Sequence, residues 1–167
     1  MPHFLVFKEI SDEQLTPDLI GGKASSLTRL YQHNFPVHDG FVMTTDFFNS
    51  FSKENKPIIF SNQDMKTINQ YINDCSPRDL VAVRSSASVE DSSNKSYAGQ
   101  FDSFLNVKKD EVSEMVKKCW SSIRNIRAQR YAQVKNTDLK MAVIVQKMIT
   151  PEVSGVAFSA NPVNGDK

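Results

Sequence analysis

Residues 80–88 read Leu-Val-Ala-Val-Arg-Ser-Ser-Ala-Ser, and the first five of them set the frame for the rest of the chain. Leu80 to Arg84 is a nearly continuous apolar run of strand length, the kind expected in the middle of a sheet covered on both faces. An Arg at the end of such a strand is held by rigid backbone, which suits a bidentate grip on phosphate oxygens. A Ser-rich stretch follows, Ser85 to Ser103, closing on Tyr97-Ala-Gly-Gln-Phe-Asp-Ser103. Small residues of this kind can fold over a polyphosphate and offer it backbone N–H groups. The same composition also fits a polar surface loop, and its acidic pair, Glu90-Asp91, suits either a metal ion or plain solvation.

Outward from this stretch, strand-like and helix-like segments alternate without an internal repeat. Toward the N-terminus, Gly40 to Thr45 reads as a strand, and Thr44 or Thr45 can cap a helix through Phe47, Phe48 and Phe51. Leu27, Leu30 and Tyr31 predict a helix from about Lys23 to His33, stopped by Asn34 and Pro36. Phe4 to Phe7 is a short strand. A polar break at residues 53–57 precedes a helix capped by Ser61 or Asn62 that buries Met65, Ile68 and Ile72. Toward the C-terminus, Phe104 to Val107 resumes strand character. Two helices come next, one with Val112, Met115, Val116 and Cys119 on its apolar stripe, the other with Ile123, Ile126 and Tyr131. Leu139 to Met148 and Val153 to Ala160 read as two strands of a hairpin. The chain stops on Asn161-Pro-Val-Asn-Gly-Asp-Lys167, turn chemistry with nothing after it, as if cut from something longer.

A chain of 167 residues with 40% hydrophobic and 23% charged content is of one-domain size and globular in class, which excludes disordered and fibrous proteins. No apolar run approaches the roughly 20 residues that cross a bilayer, and the first nine residues lack the pattern of a secretory signal. No membrane partner is therefore expected. Cys75 and Cys119 have neither metal-ligand spacing nor the density of a disulfide scaffold, so both thiols are expected to be free in a cytoplasmic setting. Net charge is +1, but residues 108 to 147 hold ten Lys/Arg against four acids. This local excess suits an anionic ligand or partner, or else the solvated faces of two helices. His3, His33 and His38 stand without a nucleophile and acid beside them, and no Gly-x-Ser-x-Gly elbow occurs, so no catalytic triad is indicated.

Two other segments carry candidate chemistry. Gly21-Gly22-Lys23 opens a helix, where glycines allow close approach, first-turn N–H groups lack intrahelical partners, and Lys adds a point charge. It is not a P-loop, because Pro17 stands where the first glycine would fall and Ala24 follows the Lys. A glycine turn with a surface Lys reads equally from these residues. In Val143-Ile-Val-Gln-Lys-Met-Ile149, Gln146 could offer its amide to an adenine edge beside a wall of Met148 and Ile149, or the strand could simply be reaching the surface.

Six collinear pieces resemble the N-terminal nucleotide-binding region of the phosphoenolpyruvate-utilising dikinases, a family that includes phosphoenolpyruvate synthase, pyruvate phosphate dikinase and rifampin phosphotransferase. They are Ile20-Gly-Gly-Lys-Ala-Ser-Ser-Leu27, Phe35-Pro-Val-His-Asp-Gly-Phe41, Val81-Ala-Val-Arg-Ser-Ser-Ala-Ser88, Tyr97-Ala-Gly-Gln-Phe-Asp-Ser-Phe-Leu-Asn-Val107, Val145-Gln-Lys-Met148 and Ser154-Gly-Val-Ala-Phe-Ser-Ala-Asn-Pro162. The resemblance runs from about residue 8 to the end.

It implies an α+β, ATP-grasp-like fold that is incomplete here: a first lobe over residues 1–107, then a helical pair and the first strands of a second lobe over 108–167. Lys23 and Arg84 match the family's phosphate-contacting Lys and Arg. Gly99 and Ser103 match its glycine loop over the phosphates, where the family often has Thr at the second place. Gln146 matches the hinge residue beside adenine, with Met148 a weaker match for the wall. The implied ligands are ATP and Mg²⁺, with no metal ligand in this stretch and the metal-holding carboxylates further along. The implied activity is that of an ATP-dependent dikinase, most like phosphoenolpyruvate synthase. Arg84 would stabilise the transferring phosphate, and phosphohistidine and acceptor domains beyond this chain would complete the reaction. The 167 residues alone are expected to be inactive. A pyruvate phosphate dikinase or rifampin phosphotransferase relative is the alternative within the class. A non-catalytic module binding through residues 108–147 is the alternative outside it, although nucleic acid is not the expected partner.

Overall fold

The computed structural model describes residues 2–52, 58–76, 80–88, 102–123, 140–161 and 164–166. Strand β1 (Phe4–Val6) runs into a 3₁₀ turn (Phe7–Glu9) and then helix α1 (Pro17–Gln32). Strand β2 (Gly40–Met43), helix α2 (Thr45–Ser52) and helix α3 (Asn62–Cys75) follow. After them come β3 (Val81–Ala87), β4 (Ser103–Val107), a second 3₁₀ turn (Lys109–Glu111), α4 (Val112–Ser122) and β5 (Met141–Lys147). The strands make one sheet in the order β1-β2-β5-β3-β4, with every neighbouring pair antiparallel.

Strand alternation divides the sheet's side chains between two cores. On one face Leu5, Val42, Ala142 and Ile144 pack against Leu19, Ile20 and Ala24 of α1. On the other face Phe41, Met43, Val81, Val83, Val107, Val143 and Val145 pack against α2, α3 and α4. The rings of Phe47, Phe48, Phe51, Phe60 and Trp120 gather there in edge-to-face and tilted contacts. β5 is buried on both faces from Met141 to Gln146, which explains its unbroken apolar run. Helix starts follow the expected chemistry. Thr44 Oγ1 accepts from the N–H of Phe47 at 3.3 Å at the head of α2. At α3, Ser61 and Asp64 form a reciprocal capping box.

Three expectations are corrected. Val153 to Ala160 is not a strand; Val153, Val156 and Phe158 are exposed, and no hairpin forms with β5. The reason is topological, since β5 already has β2 on one edge and β3 on the other and offers no free edge. Ser85 to Ala87 belong to β3 and not to a loop, and of the three only Ser86 faces α1, where its small side chain leaves room for the helix to lie close. α1 begins at Pro17 with Thr16 before it, six residues ahead of the expected start, and breaks at Gly21. The expected boundary at 107/108 falls between β4 and α4, and described residues on both sides share this sheet, with α4 against β3, β4 and β5. The helix expected around Ile126 and Tyr131 lies outside the described residues.

Candidate functional site

Gly21 sits at φ +77°, ψ 164°, a region open essentially to glycine, and divides α1 into a short lead and a main segment. The break lies directly on β3: a Cβ at Gly21 would overlap the carbonyl oxygen and Oγ of Ser86. Ser86 Oγ donates to the carbonyl of Ile20 at 2.9 Å and accepts from the N–H of Ala24 at 3.0 Å. In the first turn after the break, Lys23 Nζ donates to the carbonyl of Ser85 at 2.8 Å.

The β3–β4 ladder ends at the Arg84–Ser103 pair, and the next N–H, that of Ser85, bonds to the carbonyl of Asp102 at 3.2 Å. The Lys23 ammonium, on the Ser85 carbonyl, therefore stands where β4 meets β3, at the residue after Arg84. Arg84 is half-buried and pairs with Ile144 of β5, whose side chain lies in the α1-side core. Residues paired across an antiparallel ladder share a face, so Arg84 and Ser103 both face α1. Gln146 belongs to the same face, paired with Ala82 and diagonal to Arg84 across the ladder. Its Nε2 donates to the carbonyl of His38 at 3.0 Å. Because a carbonyl only accepts, this bond fixes the NH₂ end of the amide toward residue 38.

Lys23, Arg84, Ser103 and Gln146 are thus brought to one face of one sheet from four elements. Ser103 is exposed on the outer strand, while Gln146 is buried. Met148 is half-buried just past β5, where its N–H bonds the carbonyl of Leu80 at 3.0 Å, and Ile149 is exposed. Gly99, like Glu90 and Asp91, lies outside the described residues. The arrangement brings two cations and a hydroxyl to the α1 side of neighbouring strands, residue types suited to an anion with several oxygens. The thiol of Cys119, on the far face, is pushed up to about 12 by burial first and then by the Asp102 carboxylate, while the charge of Lys23 pulls it down. Among the described residues no group of three or more His, Cys, Asp or Glu could hold a metal ion. No helix among them is long and apolar enough to cross a membrane.

Ser86 was not singled out by sequence reasoning. The signal for it was present: a Gly-Gly pair needs something close to approach, and Ser85-Ser86-Ala87 is the only run of small residues in a described strand.

Helices packed on both faces of an antiparallel sheet make an α+β protein, with Lys23 and Arg84 brought to the α1 side of that sheet, and comparison with known proteins gives it a family. Residues 60–167 match the pyruvate phosphate dikinase AMP/ATP-binding domain, and the chain belongs to that family. Its α+β architecture is consistent with part of an ATP-grasp-like domain. The chain is 35% identical to the "Probable phosphoenolpyruvate synthase" of Archaeoglobus fulgidus over 89% of its own length and 25% of the relative's. It is 32% identical to the phosphoenolpyruvate synthase of Aeropyrum pernix, over 95% of this chain and 24% of that one. With the rifampicin phosphotransferase of Bacillus cereus the identity is 30%, over 98% and 23%. The chain spans about a quarter of the length of these curated relatives.

Proposed function

We propose that this chain is the ATP-binding part of a dikinase most like phosphoenolpyruvate synthase, in which ATP, pyruvate and water give AMP, phosphoenolpyruvate and phosphate through a phosphohistidine on another domain. The observation that carries this reading is that Lys23 bonds the carbonyl of Ser85 while Arg84, the residue before it on β3, faces α1. In phosphoryl transfer the protein contributes chiefly position and charge, and two fixed cations neutralise the oxygens of the transferring group. Arg84 stabilises that charge, Lys23 holds the phosphates from the helix side, and Ser103, with Gly99 before it, closes over them. Gln146 stands beside adenine, and Met148 adds apolar surface. Residues 1–107 make the first lobe of an ATP-grasp pair, and residues 108–167 begin the second. Mg²⁺ accompanies the nucleotide, and the resemblance assigns its protein ligands to carboxylates further along the enzyme than this stretch. A cytoplasmic setting suits ATP chemistry and two free thiols.

The test is to titrate ATP with Mg²⁺, and separately a short oligonucleotide, into the full-length protein at two salt concentrations. ATP should bind, with NMR signals of Lys23, Arg84 and Gln146 shifting together. Arg84→Ala should reduce ATP-dependent turnover of pyruvate to near zero while the far-UV circular dichroism is unchanged. Normal turnover in that variant removes Arg84 from the site. Tight oligonucleotide binding that weakens steeply with salt, without ATP binding, would move the function to residues 108–147. The described cations of that segment are dispersed, with Lys117 over the Phe60 ring, Lys118 on Glu114 and Lys109 on Asn73.

A further inference from the structure

In an unbroken helix the N–H of Ala24 would bond the carbonyl of Ile20, four residues back. At the Gly21 break of α1 both groups turn to β3. Each is bonded to the hydroxyl of Ser86, which accepts from Ala24 at 3.0 Å and donates to Ile20 at 2.9 Å. One hydroxyl has one proton to give and lone pairs to receive, so it bridges the two groups across the break. Insertion of a side chain into the ladder is a recognised cause of a sharp helix kink. Gly21 is the complementary half, since only a residue without Cβ fits against Ser86 at that φ.

We propose that Ser86 is the positioning residue for Lys23. It holds the backbone of the turn open at Ala24, while the carbonyl of its neighbour Ser85 receives the ammonium. Backbone and side chain of a single turn are thereby fixed by two consecutive residues of β3, next to Arg84. Without the hydroxyl, Ala24 N–H and Ile20 C=O either stay buried and unpaired or close on each other directly. Direct closure takes Gly21 out of its positive φ and re-aims the main segment of α1, carrying Lys23 off Ser85. Ser86 itself touches no nucleotide in this account, which rests on the nucleotide reading above.

The experiment is a double-mutant cycle on ATP affinity in the full-length protein, using Ser86→Ala, Lys23→Ala and the pair. Loss of one charge-assisted contact corresponds to a weakening of roughly tenfold or more, and Ser86→Ala should show it. The pair should bind no more weakly than Lys23→Ala alone, because the serine acts through the lysine. Ser86→Cys, which keeps a weaker donor and acceptor, should fall between wild type and Ser86→Ala. Val116→Ala, in the core of the opposite face, should lose stability without losing ATP affinity. Wild-type affinity in both Ser86 variants, or losses that multiply across the cycle, overturns the inference while leaving the nucleotide reading intact. A wild-type protein that binds no ATP overturns the nucleotide reading and this inference with it.

Discussion

Replacing Gly21 with Ala should be among the most damaging single-methyl changes in the chain. Two costs add. A side chain at φ +77°, ψ 164° occupies a glycine-only region, at about 1–3 kcal/mol. The new Cβ also overlaps Ser86 at its carbonyl oxygen, in a stretch of β3 paired along its length with the central strand β5. Backbone so held cannot swing away as a flexible side chain would, and overpacking of this kind costs about 1–3 kcal/mol more. The sum, roughly 2–6 kcal/mol, is a large fraction of the 5–15 kcal/mol that keeps an ordinary domain folded. Urea unfolding of the 167-residue chain, followed through its single tryptophan, Trp120, measures it. Trp120 lies on the opposite face of the sheet from Gly21 and so reports the global transition. Gly155→Ala is the control, with no atom within 4 Å of its added Cβ, and should change stability by no more than about 0.5 kcal/mol. If Gly21→Ala unfolds at the same urea concentration as Gly155→Ala, with the same m value, the close docking of α1 on β3 is wrong.

Ser61→Ala removes the hydroxyl that caps α3 and frees the first-turn N–H of Asp64, so the urea midpoint should fall by the equivalent of about 1 kcal/mol; an unchanged midpoint would refute the capping box. The thiols give a pH dependence. Burial raises Cys119 from 9.0 to about 12 and Cys75 to about 11, so between about 9 and these values the folded chain keeps protons that the unfolded chain has lost. Stability from this source is full below pH 9 and declines as pH rises above it. Urea midpoints from pH 8 to 11 should fall less steeply in Cys119→Ala than in wild type, and parallel slopes would refute the assignment.

How much of this was legible in the sequence depended on how local each signal is. The helix starts at Ser61 or Asn62 and at Thr44 or Thr45 are local signals legible within a few residues, and the structure selects Ser61, with Asp64 completing a box that the sequence reading did not name, and Thr44. Leu80 to Arg84 and Leu139 to Met148 announced buried strands by composition, but nothing local says that β5 lies between β2 and β3. That order is fixed by pairings such as Val42 with Ile144, about a hundred residues apart. Val153 to Ala160 reads as a strand because a local pattern reports a possible face and says nothing about a free edge. The lead segment of α1 was missed because a glycine pair looks like a helix start, and the hydroxyl that bridges the break comes from Ser86. For the site, Lys23, Arg84, Ser103 and Gln146 could be named from the six motif pieces, whereas their gathering on the α1 face needed the sheet register.

The central place of β5 has a consequence for how the protein is made. Without residues 141–147 the sheet falls into two unconnected pairs, β1 with β2 and β3 with β4, each with an apolar edge exposed. A nascent chain leaving the ribosome must therefore carry those edges unprotected until β5 emerges and zips the halves together. Such long-range closure folds slowly and is exposed to aggregation. Messages truncated anywhere before codon 141 should yield insoluble product, however much of the β3–β4 pair they encode.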